Sequence, residues 1–155
     1  MMDRYSGTKN FDDFFDYLSK QKTKKYTEIT SDIINEFKNS LKQIKLPKQY
    51  IEFMKYAGNG MFWEGSTYEF SEVKLLKKYA TELLEENDFP HRLKESDFVF
   101  WMHGGYMFYF FSLEDGDNPP VYYYSECDEM SDFVRCSDTF IDFIINPYIT
   151  GVPNP

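Results

Sequence analysis

Histidine and cysteine are scarce in this sequence, and their placement excludes most metal and nucleophile chemistry. The chain holds two of each in 155 residues. Cys127 and Cys136 cannot build a disulfide scaffold or a four-cysteine zinc site. His91 and His103 form no HExxH arrangement and are not spaced to present two imidazoles from one helix. The four residues together match no metal-ligand spacing, and no Cys–His nucleophile signature surrounds them. Phosphate-binding loops are missing as well, because Gly58-Asn59-Gly60 follows a helical pattern rather than a strand. No run approaches about 18 uncharged apolar residues, which excludes a membrane-spanning helix. The opening Met-Met-Asp-Arg-Tyr-Ser-Gly lacks the apolar core of a signal peptide, so a cytoplasmic domain is the expectation.

Basic residues are scarce in one half only. Residues 1–80 carry 14 Lys and Arg against 11 Asp and Glu, whereas residues 81–155 carry 3 against 15. The net charge of −9 therefore belongs almost wholly to the second half. Such a field steers a basic partner and repels nucleic acid, although the same charge also serves plain solubility. Aromatic residues are abundant. Sixteen Phe, 13 Tyr and 2 Trp outnumber the 23 Ile, Leu and Val. Rings must fill much of the core, and some tyrosines are expected at the surface, where a rigid ring with a polar tip suits an interface.

The periodicity predicts helices first and strands later. Phe11, Phe14, Phe15 and Leu18 recur at helical spacing after Asn10, a good N-cap. The lysine-rich run at residues 20–25 ends that helix. A second helix is expected from Thr30 or Ser31, burying Ile33, Ile34, Phe37 and Leu41. A third is expected to start at Pro47 and to stop at Gly58-Asn59-Gly60 in left-handed backbone. Short strands are expected at 61–63 and 66–70, then a helix over 71–87 with Leu75 and Tyr79 on its apolar face. Closely spaced aromatic runs at 98–102, 106–113 and 121–125, separated by Gly and Pro, predict an antiparallel meander, with a further short strand near Phe133-Val134. Ser137 caps a closing helix over Phe140, Ile141 and Ile144, ending near Asn146-Pro147. The whole is expected to be one α+β domain over residues 1–155, with its core at about 10–147. Its N-terminal helices pack on a mixed or antiparallel sheet, and a C-terminal helix closes it.

No catalytic constellation emerges from these residues. Asp115-Gly116-Asp117-Asn118 lacks the spacing of a calcium loop, and adjacent carboxylates such as Glu85-Glu86 belong on exposed faces. No enzyme, no cofactor and no metal are therefore expected.

One segment resembles a known family. Leu46-Pro47-Lys48-Gln49-Tyr50 through Gly58-Asn59-Gly60 is similar to the signature of the SUKH superfamily, the Smi/Knr-type domains. In that signature Leu-Pro is followed by a Tyr, an apolar pair and an Asn-Gly. Phe98 to Trp101 with Gly104-Gly105 resembles the family's central strand and turn. Pro120-Val121 resembles its next strand, and Phe140-Ile141-Asp142-Phe143-Ile144 its closing helix. The order of elements matches over residues 10–147, while the aromatic load and the stretch 61–97 depart from the pattern. The resemblance implies a non-enzymatic domain. Bacterial members of the superfamily are mostly immunity proteins that neutralise toxins, many of them nucleases, and fungal relatives are regulatory scaffolds.

Two functions follow as expectations: a cytoplasmic immunity protein against a basic, nuclease-type toxin domain, or a regulatory interaction module. In either case the partner is a protein, not nucleic acid or membrane. The expected binding surface comprises Glu114, Asp115, Asp117, Tyr122, Tyr124, Glu126, Asp128 and Glu129. Alternation along 121–125 turns either Tyr122 and Tyr124 or Val121, Tyr123 and Ser125 outward. Val121 is the natural core residue, so Tyr122 and Tyr124 are assigned outward with the acidic residues around them.

Overall fold

The computed structural model describes residues 4–21, 30–41, 44–59, 62–63 and 65–150. The lysine run beyond Gln21, Gly60 and Met61 lie outside the described residues. Helix α1 (Phe11–Ser19) is capped as expected, with Asn10 Oδ1 accepting the Asp13 N–H at 2.8 Å. Its buried face is Phe11, Phe14, Phe15 and Leu18. Helix α2 (Ser31–Ser40) is capped by Thr30 and buries Ile34 and Phe37, while Ile33 remains 45% exposed.

Helix α3 (Lys48–Ala57) places Pro47 at the N-cap rather than inside the first turn. Proline has no side chain to cap with, and a remote loop takes that role. Asp117 Oδ1 accepts the Lys48 N–H, and the Asp117 carbonyl accepts the Gln49 N–H at 3.0 Å. Gly58 is not left-handed, since its φ is −68°. It is glycine because the Phe70 ring lies against it, 2.2 Å from where a Cβ would stand.

The strands are β1 (Ser66–Thr67), β2 (Asp97–His103), β3 (Met107–Ser112), β4 (Val121–Ser125) and β5 (Val134–Ser137). They form one antiparallel sheet in the order β1-β2-β3-β4-β5. The fold is thus the α+β meander that the sequence indicates, with the strand expected at Phe133-Val134 beginning at Val134. Phe62 and Trp63 are not in a strand, and β1 keeps only two residues of the run expected there. The β2–β3 hairpin turns on Gly104 and Gly105, both at positive φ, which suits a two-residue primed turn.

A register shift in β2 between Val99 and Trp101 bulges Phe100 out of the ladder. Phe98, Phe100 and Trp101 consequently share the face that meets α3 and helix α5 (Phe140–Thr150). On that face Tyr50 packs against Phe98 and Phe111, and Phe140 against Phe100. Trp63, Trp101 and Tyr109 stack in sequence, with centroids 4.5 and 4.4 Å apart and planes within 10°.

Helix α5 starts from Thr139, whose Oγ1 accepts the Asp142 N–H at 3.0 Å; Ser137 ends β5 instead. The helix runs past Pro147 to Thr150. Proline removes one helical hydrogen bond. Tyr148 secures the last turn through its ring, 5.0 Å from that of Phe14, and through its carbonyl, which accepts the Tyr5 N–H at 2.9 Å.

The opposite sheet face is also covered. A 3-10 turn (Val73–Leu75) leads into α4 (Leu76–Glu86), which buries Leu76, Ala80, Leu83 and Leu84. Leu75 and Tyr79 are exposed, against the sequence expectation. The chain then crosses the sheet through Phe89 and later Phe133, which pack on Phe108, Phe110 and Tyr124.

Candidate partner-binding surface

Strand β4 lies between β3 and β5, with Tyr122 opposite Phe110 and Tyr124 opposite Phe108. Both tyrosines therefore point to the α4 side. Tyr124 is not outward in the sense expected, being 4% exposed. Phe89 covers it edge-on at 4.7 Å, and its hydroxyl accepts a hydrogen bond from Asn87 Nδ2 at 3.1 Å. Both faces of the sheet are covered here. Val121 is fully buried on one face, but the Phe89 and Phe133 segments roof the other, so neither set of alternating residues is fully exposed.

Tyr122 is half-buried and stacks on Phe110 at 5.6 Å. With Glu114 and Asp115 it lines a groove of about 490 Å³, completed by His91, Arg92, Lys94, Asp97, Asp132 and Phe133 among others. This groove mixes both charge signs. His91 Nε2 lies 3.8 Å from Asp132 Oδ1, and the Arg92 guanidinium donates to the carbonyls of Phe89 and His91. Burial pushes the Asp97 carboxyl above the usual carboxylate range. The Lys94 N–H, donating at 2.8 Å, and the charges of Lys77 and Lys94 oppose that shift, and Asp115 adds to it.

The remaining acidic residues do not surround the tyrosines. Asp117 caps α3, and its neighbour Asn118 accepts the Ile141 N–H at the start of α5. Glu126, Asp128 and Glu129 are exposed in the β4–β5 connection, at the far end of the strand. At about 3.3 Å per residue, β4 separates the two acidic groups by roughly 15 Å. Glu126 accepts from Asn87, and Asp128 from the Tyr123 hydroxyl at 3.4 Å. Glu114, Asp115 and Tyr122 are thus brought together. Glu126, Asp128 and Glu129 form a second group, while Asp117 and Tyr124 hold structural positions.

A larger groove, of about 710 Å³, opens between α4 and the β2–β3 hairpin. Of its carboxylates Glu69, Glu72, Glu82 and Glu86, only Glu86 stood out in the sequence, and there as half of an exposed acidic pair. For Glu72 and Glu86 a signal was present in the helical spacing Glu72, Leu76, Tyr79, Leu83, Glu86. At the hairpin, Ser66 Oγ and His103 Nδ1 are 2.8 Å apart on directly opposed positions of β1 and β2. Among the described residues no cluster of His, Cys, Asp and Glu is placed to hold a metal ion, and no helix is long and apolar enough to cross a membrane.

Neither a curated protein nor a solved structure shows significant similarity to this chain. A family model does match. It covers residues 28–146, which span α2 through most of α5 and therefore the whole sheet. With more than half its length matched, and with the helix, meander and closing helix in the order described, the chain belongs to the SMI1 / KNR4 family (SUKH-1).

Proposed function

We propose that this chain is a non-catalytic immunity protein that acts in the cytoplasm, binding a basic, nuclease-type toxin domain and blocking its access to substrate. The observation that carries the reading is the charge distribution. Residues 81–155 hold 15 acidic side chains against 3 basic ones, and Glu114, Asp115, Glu126, Asp128 and Glu129 project from loops at the two ends of β4. A nuclease must present positive surface to phosphates, so complementary acidity raises the association rate and rejects other partners. Half-buried Tyr122, seated on Phe110, supplies rigid contact area between the two acidic groups. Membership of a family that includes immunity proteins supports the same reading.

The test is direct. A toxin domain encoded beside this gene is purified and its nuclease activity is titrated with the protein. Stoichiometric inhibition is expected, with association slowing steeply as salt rises. Replacing Asp115, Asp128 and Glu129 by lysine is expected to slow association on the order of tenfold while leaving the melting temperature unchanged. Full inhibition with unaltered association by that variant overturns the assigned surface.

A further inference from the structure

The groove between α4 and the β2–β3 hairpin combines an apolar floor with walls of a single charge sign. Leu76, Leu83 and Met102 form the floor, and Glu69, Glu72, Glu82 and Glu86 line the sides, with no Lys, Arg or His among the lining residues. Tyr79 stands at the rim, 41% exposed. No ion pair among the described residues reaches any of these four carboxylates.

Helix α4 makes this arrangement unfavourable in the free protein. A helix C-terminus carries partial negative charge and favours cations, yet the last turn of α4 has no basic residue and ends Glu85-Glu86. Glu82 and Glu86 are also four residues apart, a like-charge spacing that destabilises a helix. A cation seated in the groove relieves both penalties at once. Local rules broken without internal compensation mark positions shaped by something other than folding.

We propose that this groove docks a lysine- or arginine-bearing segment of a protein partner. The apolar floor accepts the methylene stem of such a side chain while the carboxylates take its charged end. The Tyr79 ring offers a face to a guanidinium. Gly105, at the hairpin tip, has no atom within 4 Å of where a Cβ would stand, so a partner backbone can approach the opposite rim closely there. The inference rests on reading the chain as a protein-binding module. It adds a contact surface at α4, distinct from the loops at the ends of β4.

An octa-arginine peptide serves as the probe, with binding measured calorimetrically at low salt. The triple variant Glu72→Gln, Glu82→Gln, Glu86→Gln is compared with Asp32→Asn, Glu36→Gln, Glu95→Gln, exposed positions outside both the groove and the β4 loops, which changes the net charge equally. At least a tenfold loss of affinity is expected for the first and less than twofold for the second. Tyr79→Ala, which leaves the charge untouched, is expected to weaken binding several-fold. The amide resonances of Gly65, Gly104 and Gly105 are expected to shift on titration of the unsubstituted protein. Equal losses in the two triple variants, or no shift at those glycines, overturn the proposal. A groove variant that still neutralises a basic toxin at full affinity overturns it too while leaving the proposed function standing. Peptide binding at the groove without neutralisation of the toxin does the reverse.

Discussion

Asp117 caps helix α3 from 69 residues away, its carboxylate accepting the N–H of Lys48 across the sheet's β3–β4 loop. The next residue, Asn118, serves α5 in the same manner through Ile141. One short loop thus ties the meander to the starts of two helices. Asp117→Ala is expected to cost about 1 kcal/mol, the usual value of a lost N-cap. Asp117→Asn keeps the acceptor and is expected to cost much less. Urea denaturation of both variants measures the difference, and equal losses would show that the side-chain oxygen is irrelevant. Because of this role, Asp117 is unsuited to charge reversal in binding experiments.

Tyr124→Ala is expected to destabilise the fold by about 3–5 kcal/mol, as for other large aromatic truncations in a core. Its ring is held between Phe89 and Phe108, and the Asn87 amide donates to its hydroxyl. Thermal melting of the variant decides the matter. A loss below about 1 kcal/mol would place Tyr124 at the surface after all.

Glu86→Lys is expected to stabilise the free protein by about 0.3–1 kcal/mol, since it puts a cation at the C-terminal end of α4 and removes the repulsion from Glu82. The gain is expected to shrink in high salt. Destabilisation by this substitution would mean that Glu86 has a favourable partner in the free molecule.

The alkaline limb of stability is set by buried acids. Burial raises the Cys136 thiol from 9.0 to about 12 and the Tyr68 hydroxyl from 10.0 to about 12. Tyr50 and Tyr109 are pushed up for the same reason. In the unfolded chain these groups ionise first, so their contribution is whole below about pH 9 and drains away between pH 9 and 12. Melting temperature is expected to fall across that window. At pH 8 iodoacetamide is expected to modify exposed Cys127 in the native protein and to reach Cys136 only in denaturant, a count of one adduct then two by mass spectrometry. Native labelling of both thiols would contradict this picture.

Much of this architecture was legible in local patterns. Asn10 before an apolar i, i+3, i+4, i+7 set, and Gly104-Gly105 between aromatic runs, each specify their element through backbone chemistry alone. Misreadings arose where tertiary contacts decide. Gly58 reads as a left-handed stop, but it is glycine because Phe70 leans on it. Tyr79 reads as core, yet it lies at the rim of a groove whose other wall comes from the β2–β3 hairpin. Tyr122 and Tyr124 were beyond reach for a related reason. Alternation tells one face of a strand from the other but is silent on whether a second layer, here Phe89 and Phe133, roofs the outer one. Of the binding surface, charge sign and chain region were visible in the sequence. The division of the acidic residues between loop ends, helix cap and groove depends on where β4 starts and stops.

The stack of Trp63, Trp101 and Tyr109 has an optical consequence. The chain contains only these 2 tryptophans, and their indoles lie face to face. All tryptophan emission therefore originates at one spot, on the sheet face away from α4, and it reports on the seating of Trp63 against β2 rather than on the molecule at large. A change in emission during unfolding marks the separation of that pair. A ligand entering at α4 works on the other side of the sheet, so its arrival leaves tryptophan emission unchanged and is followed by heat or by nuclear resonance instead.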